Sequence, residues 1–219
     1  MNVRLVCFSQ VSDEFWSETN FESLQDIVAY CARVSNPANQ NNPDNDKLIR
    51  YLIENKHWSP LEMVSLTLEI TTTRDIARQI LRHRSFSFQE FSQRYADPTK
   101  DLNFVKREAR LQDTKNRQNS IEVNDWELQE EWEGRQLLLS DHAKNVYDWA
   151  INNGIAKEQA RAVLPEGLIE SRLYMAGTLR SWIHYIQLRS DNGTQKEHRE
   201  VAIECGKIIA EVFPTIKKI

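Results

Sequence analysis

The chain has 219 residues, 40% of them hydrophobic and 27% charged, which is enough to bury a core as one unit spanning 1–219. A formal charge of -4 and a pI near 5.8 argue against a general nucleic-acid binder, so positive charge has to act locally. Cys7, Cys31 and Cys205 are too far apart in sequence for a disulfide framework or a zinc knuckle, which fits a reduced, cytoplasmic setting.

The first apolar run predicts a strand over Val3 to Val11, followed by an acidic, aromatic connection through Asp13, Glu14, Phe15 and Trp16. The run is too short for a signal peptide, and no stretch approaches a membrane span, so the mature protein is expected to be the whole chain. From Phe21 the spacing of Leu24, Ile27, Val28, Cys31 and Ala32 is helical, and the Asn-, Pro- and Asp-rich segment Ser35 to Asp46 reads as a loop. A second helix is expected from Asp44 to Asn55, capped by Asp44 or Asn45, with Leu48, Tyr51 and Leu52 inward. Pro60 then interrupts regular structure and places His57, Ser59 and Glu62 on a turn. Val64, Leu66, Leu68 and Ile70 alternate with polar residues as in a strand with one wet face.

That strand leads into Thr73 to His83, where Arg74, Arg78 and Arg82 recur every fourth residue opposite Ile76, Ala77, Ile80 and Leu81. Such a row is either a solvated face or a mount for an anion, since the guanidinium fork grips phosphate or carboxylate through two hydrogen bonds. After Arg84 the period becomes alternating, with Phe86 and Phe88 on one side, and Glu90, Ser92 and Arg94 are expected to share a face. Ala96 to Asp125 is polar and poorly periodic, a lid or an irregular excursion.

A long helix is predicted from Trp126 to Asn152, with Trp132, Leu139, Val146 and Trp149 inward and Gly154 ending it. A short helix over Ala156 to Leu164 carries Arg161 and is closed by Pro165; Ile169 to Gly177 reads as extended. Thr178 to Leu188 reads as a helix, with Arg189 at its end. The last helix spans Thr194 to Phe213 on a stripe of Val201, Ala202, Cys205, Ile208, Ile209 and Val212. There is no glycine-rich dinucleotide or P-loop motif, so phosphate would have to be held by arginine. The five histidines are too scattered to suggest a metal site.

The run from Arg82 to Tyr95 fits the pattern Arg-His-Arg-x-x-Ser-x-x-Glu-x-Ser-x-Arg-Tyr. It is preceded by His57-x-Ser59-Pro60-x-Glu62 and followed by Arg161-x-x-Leu164-Pro165 and by Leu179-Arg180-Ser181 running on to Leu188-Arg189. Together these four blocks resemble the flavin-dependent thymidylate synthases. The resemblance implies an α+β fold, with a central, mostly antiparallel sheet flanked by helices and a long-helix bundle. It also implies a homotetramer holding FAD at subunit interfaces and making dTMP from dUMP, with methylenetetrahydrofolate as carbon donor and NADPH as reductant. By position, Ser59, Arg82, His83, Arg84, Glu90, Thr178, Arg180 and His184 would contact FAD, with His57 in the folate and flavin vicinity. Gln79, Arg82, Glu90, Ser92, Arg94, Arg161 and Arg189 would surround dUMP.

Uracil is a poor nucleophile at C5, and no cysteine here lies in a polar constellation that could activate it by thiolate addition. In the family's reaction a guanidinium beside the pyrimidine stabilises charge at N3 and O2 and so enriches C5, a role expected of Arg189. Ser92 is expected to bind substrate, having no histidine near it in sequence to act as its base. This chain departs from the family pattern at Gln89 and Thr178, where Asn is common, in one additional residue between Pro165 and Gly177 that leaves Arg172 unassigned, and in the excursion after Tyr95. Two other readings use the same residues. One is a single-strand nucleic-acid module stacking bases on Phe86, Phe88 and Phe91; the other is a dUMP-binding homologue without activity.

Overall fold

The computed structural model describes residues 1–218; Ile219, the last residue of the expected unit, lies outside them. In chain order the elements are β1 (Asn2–Phe8), α1 (Asp13–Thr19), α2 (Leu24–Ala32), α3 (Asn45–Glu54), β2 (Ser65–Thr73), α4 (Arg74–Ile80) and β3 (Ser87–Glu90). They continue with α5 (Pro98–Asp101), β4 (Arg110–Gln112), β5 (Ser120–Glu122), α6 (Trp126–Asn152), α7 (Lys157–Ala160), β6 (Glu170–Thr178), α8 (Leu179–Arg189) and α9 (Lys196–Val212). A 3-10 turn over Ser59–Glu62 precedes β2, and another over Arg161–Val163 follows α7.

Four antiparallel strands in the order β1-β2-β6-β3 form the sheet, which with its flanking helices is the expected α+β arrangement. Strand alternation buries Leu66, Leu68 and Ile70 of β2 with Leu173 and Met175 of β6. Onto that face pack Ile76, Ala77 and Ile80 of α4, Trp182 and Ile183 of α8, and Val201, Ala202, Cys205 and Ile209 of α9. The fully buried Trp182 indole is satisfied by the Leu66 carbonyl at 3.2 Å. The other face is drier than alternation suggests, because Glu69 is buried under a forked ion pair from Arg4, its register partner on β1, at 2.7 and 2.9 Å. A smaller core of Tyr147, Ala150, Ala160, Leu164 and Ile169 joins α6 to α7 and the start of β6.

Several local expectations are corrected. The acidic connection after β1 is a helix, α1, started by Ser12, whose hydroxyl accepts from the Phe15 amide. Tyr51 on α3 faces solvent, and the inward residues are Asn45, Ile49, Leu52 and Ile53. Asp44 stands at the cap position of α3 without a capping side-chain bond. On α6 the inward row is Gln136, Ser140, Ala143, Tyr147 and Ala150, while Trp132, Leu139 and Trp149 point outward. The excursion after Tyr95 is built around the hairpin of β4 and β5, tied to α9 by ion pairs of Arg110 with Glu197 and of Lys196 with Glu122. β6 pairs with β2 in unbroken register from Ser65 opposite Thr178 to Thr73 opposite Glu170. That leaves the turn from Pro165 to Ile169 as the place to absorb an additional residue. Among the described residues no helix is long and apolar enough to cross a membrane.

Candidate active site

Strands β2 and β6 each run directly into a helix. Because they are antiparallel, α4 and α8 begin at opposite ends of the sheet. Their C-terminal ends meet. α4 stops at Ile80, earlier than the expected His83, and the chain turns through the Ile80 carbonyl, which accepts from the His83 amide at 3.0 Å. At the end of α8, Arg189 reaches across to that turn, and its Nε donates to Nε2 of His83 at 3.0 Å. A ring nitrogen that accepts carries a lone pair, so this imidazole is neutral. Burial, then the Arg189 and Arg82 charges, push its pKa down to about 4.

Next to this pair lies a buried polar chain. His83 stands edge-on to Tyr185, centroids 4.9 Å apart. The Tyr185 hydroxyl is 3.2 Å from Nε2 of the fully buried His198, whose Nδ1 is 3.2 Å from Oε1 of Gln79. Gln79 donates to Gln195 at 2.8 Å, and Gln195 donates to Glu197 at 3.0 Å. Glu197 is ion-paired with Arg110 and, at 3.5 Å, with Arg107. Burial works to raise the Glu197 pKa, but its backbone hydrogen bond and these cations outweigh that and hold it low.

A second group of candidate residues gathers at the other end of α4. Arg74 is buried there, not aimed outward with Arg78 and Arg82, and its guanidinium lies 3.5 Å from Glu90 and 3.4 Å from Glu166. Glu90 also accepts from the Ser171 hydroxyl at 2.7 Å. β3 ends at Glu90, so Ser92 and Arg94 sit in the following turn, not on a continued strand face. Glu90 and Ser92 line a shallow cavity of about 230 Å³ with Arg172 and Tyr174. Arg94 is paired with Glu158 of α7 at 3.8 Å, and Arg161 follows α7 in the next turn. A single chain therefore joins Gln79, Arg82, His83 and Arg189, joins Glu90 with Ser92, and does not bring Arg94 to Arg189.

The third group surrounds the start of α8. Thr178 caps it, its hydroxyl accepting from the Ser181 amide at 3.4 Å. Arg180 is paired with Glu62 at 2.5 Å, and His184 lies edge-on to Trp58 at 4.3 Å, its pKa lowered by burial and then by Arg180. Ser59 and His57, on either side of Trp58, are exposed, and so is Arg84, which precedes Ser85, whose carbonyl accepts from the Ser181 hydroxyl at 3.1 Å. Phe86 and Phe88 pack on the core, Phe86 edge-on to Trp182 at 4.8 Å, so they are not free to stack bases. Cys205 is in the core and Cys31 is partly buried, and burial pushes both thiols up. Among the described residues no group of three or more His, Cys, Asp or Glu is placed to hold a metal.

Residues 17–215 match the model of the thymidylate synthase complementing protein family, Thy1. The chain belongs to this family. Thy1 relatives include a flavin-dependent thymidylate synthase from Synechocystis, 51% identical over 194 residues covering 89% of this chain and 88% of the relative. Another, a probable flavin-dependent thymidylate synthase of Paramecium bursaria Chlorella virus 1, is 48% identical over 90% of both chains. Among solved structures, a UMP/dUMP methylase from Streptomyces cacaoi bound with 5-Br dUMP superposes with a TM-score of 0.77 at 26% identity, covering 99% of this chain and 93% of that one. The four blocks picked out in the sequence lie within the matched residues and fold into the three groups above. Sequence reasoning missed Tyr185, Gln195, Glu197 and His198; His198 shares the helical spacing of Val201, Ala202 and Cys205, and a histidine on an apolar stripe signals a buried hydrogen-bonded ring.

Proposed function

We propose that this chain is a flavin-dependent thymidylate synthase, methylating dUMP to dTMP with methylenetetrahydrofolate as carbon donor, FAD as cofactor and NADPH as reductant. The observation that carries the reading is the contact of Arg189 with His83, because it supports a guanidinium held beside the Arg-His-Arg motif. A neutral His83 accepts from Nε, which leaves the terminal nitrogens of Arg189 for O2 and N3 of the pyrimidine. Negative charge stabilised there raises electron density at C5, where the new carbon is attached. FAD, when bound and reduced, supplies the hydride.

The residue set fits a flavin dinucleotide in one testable respect. Arg82 and Arg84 are exposed and have no carboxylate partner among the described residues, so their forks are available for pyrophosphate oxygens in a chain without a glycine-rich loop. Ser59, His83, Glu90, Thr178, Arg180 and His184 complete the proposed cofactor contacts, with His57 towards the folate. Gln79, Arg82 and Arg189 would hold the base side of dUMP, and Glu90, Ser92, Arg94 and Arg161 its ribose and phosphate. Since Arg94 is paired with Glu158 of α7 while Arg189 meets His83, the two halves would come from different subunits. The apolar outer face of α6, where Leu138 is 73% and Trp149 60% exposed, supports burial in a homotetramer. Purified protein should bind FAD and show flavin absorption bands that shift on adding dUMP; a protein that takes up no FAD would refute the reading.

A further inference from the structure

The hydrogen bonds from Tyr185 to Glu197 include one proposed substrate residue, Gln79, and every bond in them has a fixed direction. His198 lies on the buried stripe of α9 and is 0% exposed, a position that costs free energy unless both ring nitrogens are satisfied. Nδ1 is 3.2 Å from Oε1 of Gln79, a carboxamide oxygen that can only accept, so Nδ1 carries the proton. Nε2 is then the acceptor for the Tyr185 hydroxyl at 3.2 Å. On its other side Gln79 Nε2 donates to Gln195 Oε1, and Gln195 Nε2 donates to the Glu197 carboxylate, which also only accepts. Exchanging the oxygen and nitrogen of the Gln79 amide would set two acceptors against each other at Gln195 and, unless the His198 proton also moved to Nε2, two donors against each other at Nδ1.

We propose that His198 is a positioning residue for the nucleotide site, locking the Gln79 carboxamide in one orientation so that its second N–H and its remaining oxygen lone pair are presented to dUMP. This rests on the assignment of Gln79 to dUMP made above. It concerns residues to which the motif blocks give no role: His198 lies outside all four, Tyr185 falls between Ser181 and Leu188 of the last, and both act on the substrate only through Gln79.

A double-mutant cycle on the FAD-loaded protein tests it, with dUMP affinity read from the flavin absorbance change. His198→Leu should weaken dUMP binding about tenfold, raising KM for dUMP with kcat changed less, because the Gln79 carboxamide loses the donor that holds its oxygen. In a Gln79→Ala background the same substitution should change affinity by less than about twofold. His198→Asn, which keeps a donor near the place of Nδ1, should recover most of the loss. Should His198→Leu fail to fold or to hold FAD, Tyr185→Phe replaces it, with a loss of about threefold expected only when Gln79 is present. Equal losses with and without Gln79, or no loss in a folded FAD-loaded variant, would overturn the proposal while leaving the functional reading intact. A wild-type protein that does not bind dUMP would overturn both.

Discussion

Arg189 Nε donates to His83 Nε2 across 3.0 Å, joining the last residue of α8 to the turn that ends α4, 106 residues earlier in the chain. The pairing is unusual for a histidine, whose common charged partner is a carboxylate. It works only because the imidazole is neutral, and it fixes the Arg189 side chain by its inner nitrogen while leaving the fork free. Arg189→Ala should therefore retain FAD yet lower dTMP formation by at least about a hundredfold, the scale of losing one preorganised transition-state donor. Removing the neighbouring cation should also raise the His83 pKa, readable by NMR titration. Unchanged turnover would remove the N3-stabilising role.

The two depressed histidines make stability depend on pH. His83 is held at about 4 and His198 at about 3, whereas an unfolded chain titrates near 6.5. Between these values the unfolded state binds more protons, so stability is present above about pH 6.5 and is lost as pH falls. The slope is at most about 1.4 kcal/mol per pH unit for each ring, and less for the partly exposed His83. Urea unfolding between about pH 5 and 7 should show this decline, and His198→Asn should flatten it. A stability independent of pH over that range would contradict the burial of both rings as neutral species.

Arg74 is the ion-pair partner of Glu90 inside the fold, with side chains 7% and 15% exposed. Arg74→Ala would leave that carboxylate with the Ser171 hydroxyl and the more distant Arg78. A loss of about 3 kcal/mol is expected from stranding a largely buried charge, measured as a shift in the urea midpoint. A loss below about 1 kcal/mol would mean that Glu90 is solvated or protonated without it.

Gly177 of β6 lies directly under the Phe86 ring of the motif segment. A Cβ there would lie 2.4 Å from Cδ1 of Phe86, a ring already packed against Trp182 and Tyr185. Gly177→Ala should destabilise the protein by about 2 kcal/mol through overpacking. It should also weaken FAD binding by displacing the segment that holds Arg84. Wild-type stability in the alanine variant would show that Phe86 can move aside freely.

Periodicity made most of the fold legible. α6 and β2 follow from it because long helical spacing and strand alternation survive tertiary context. It failed at Trp132, Leu139 and Trp149, since apolar residues on a long helix look the same whether they face a core or a surface. It failed at Arg74 too, because a fourfold arginine repeat does not reveal that Glu90 and Glu166 wait at one end of it. The candidate site was legible as motif blocks, and the sequence order of those blocks says nothing of which side chains meet. The contact between Arg189 and His83, and the chain through His198, depend on how α4, α8 and α9 converge.

The most direct measurement is dTMP formation by the purified protein with FAD, dUMP, methylenetetrahydrofolate and NADPH, resolved by chromatography. Product should accumulate over many turnovers and vanish when any one of FAD, dUMP, the folate or the reductant is withheld. A protein that binds FAD and dUMP but forms no dTMP in the complete mixture would contradict the account.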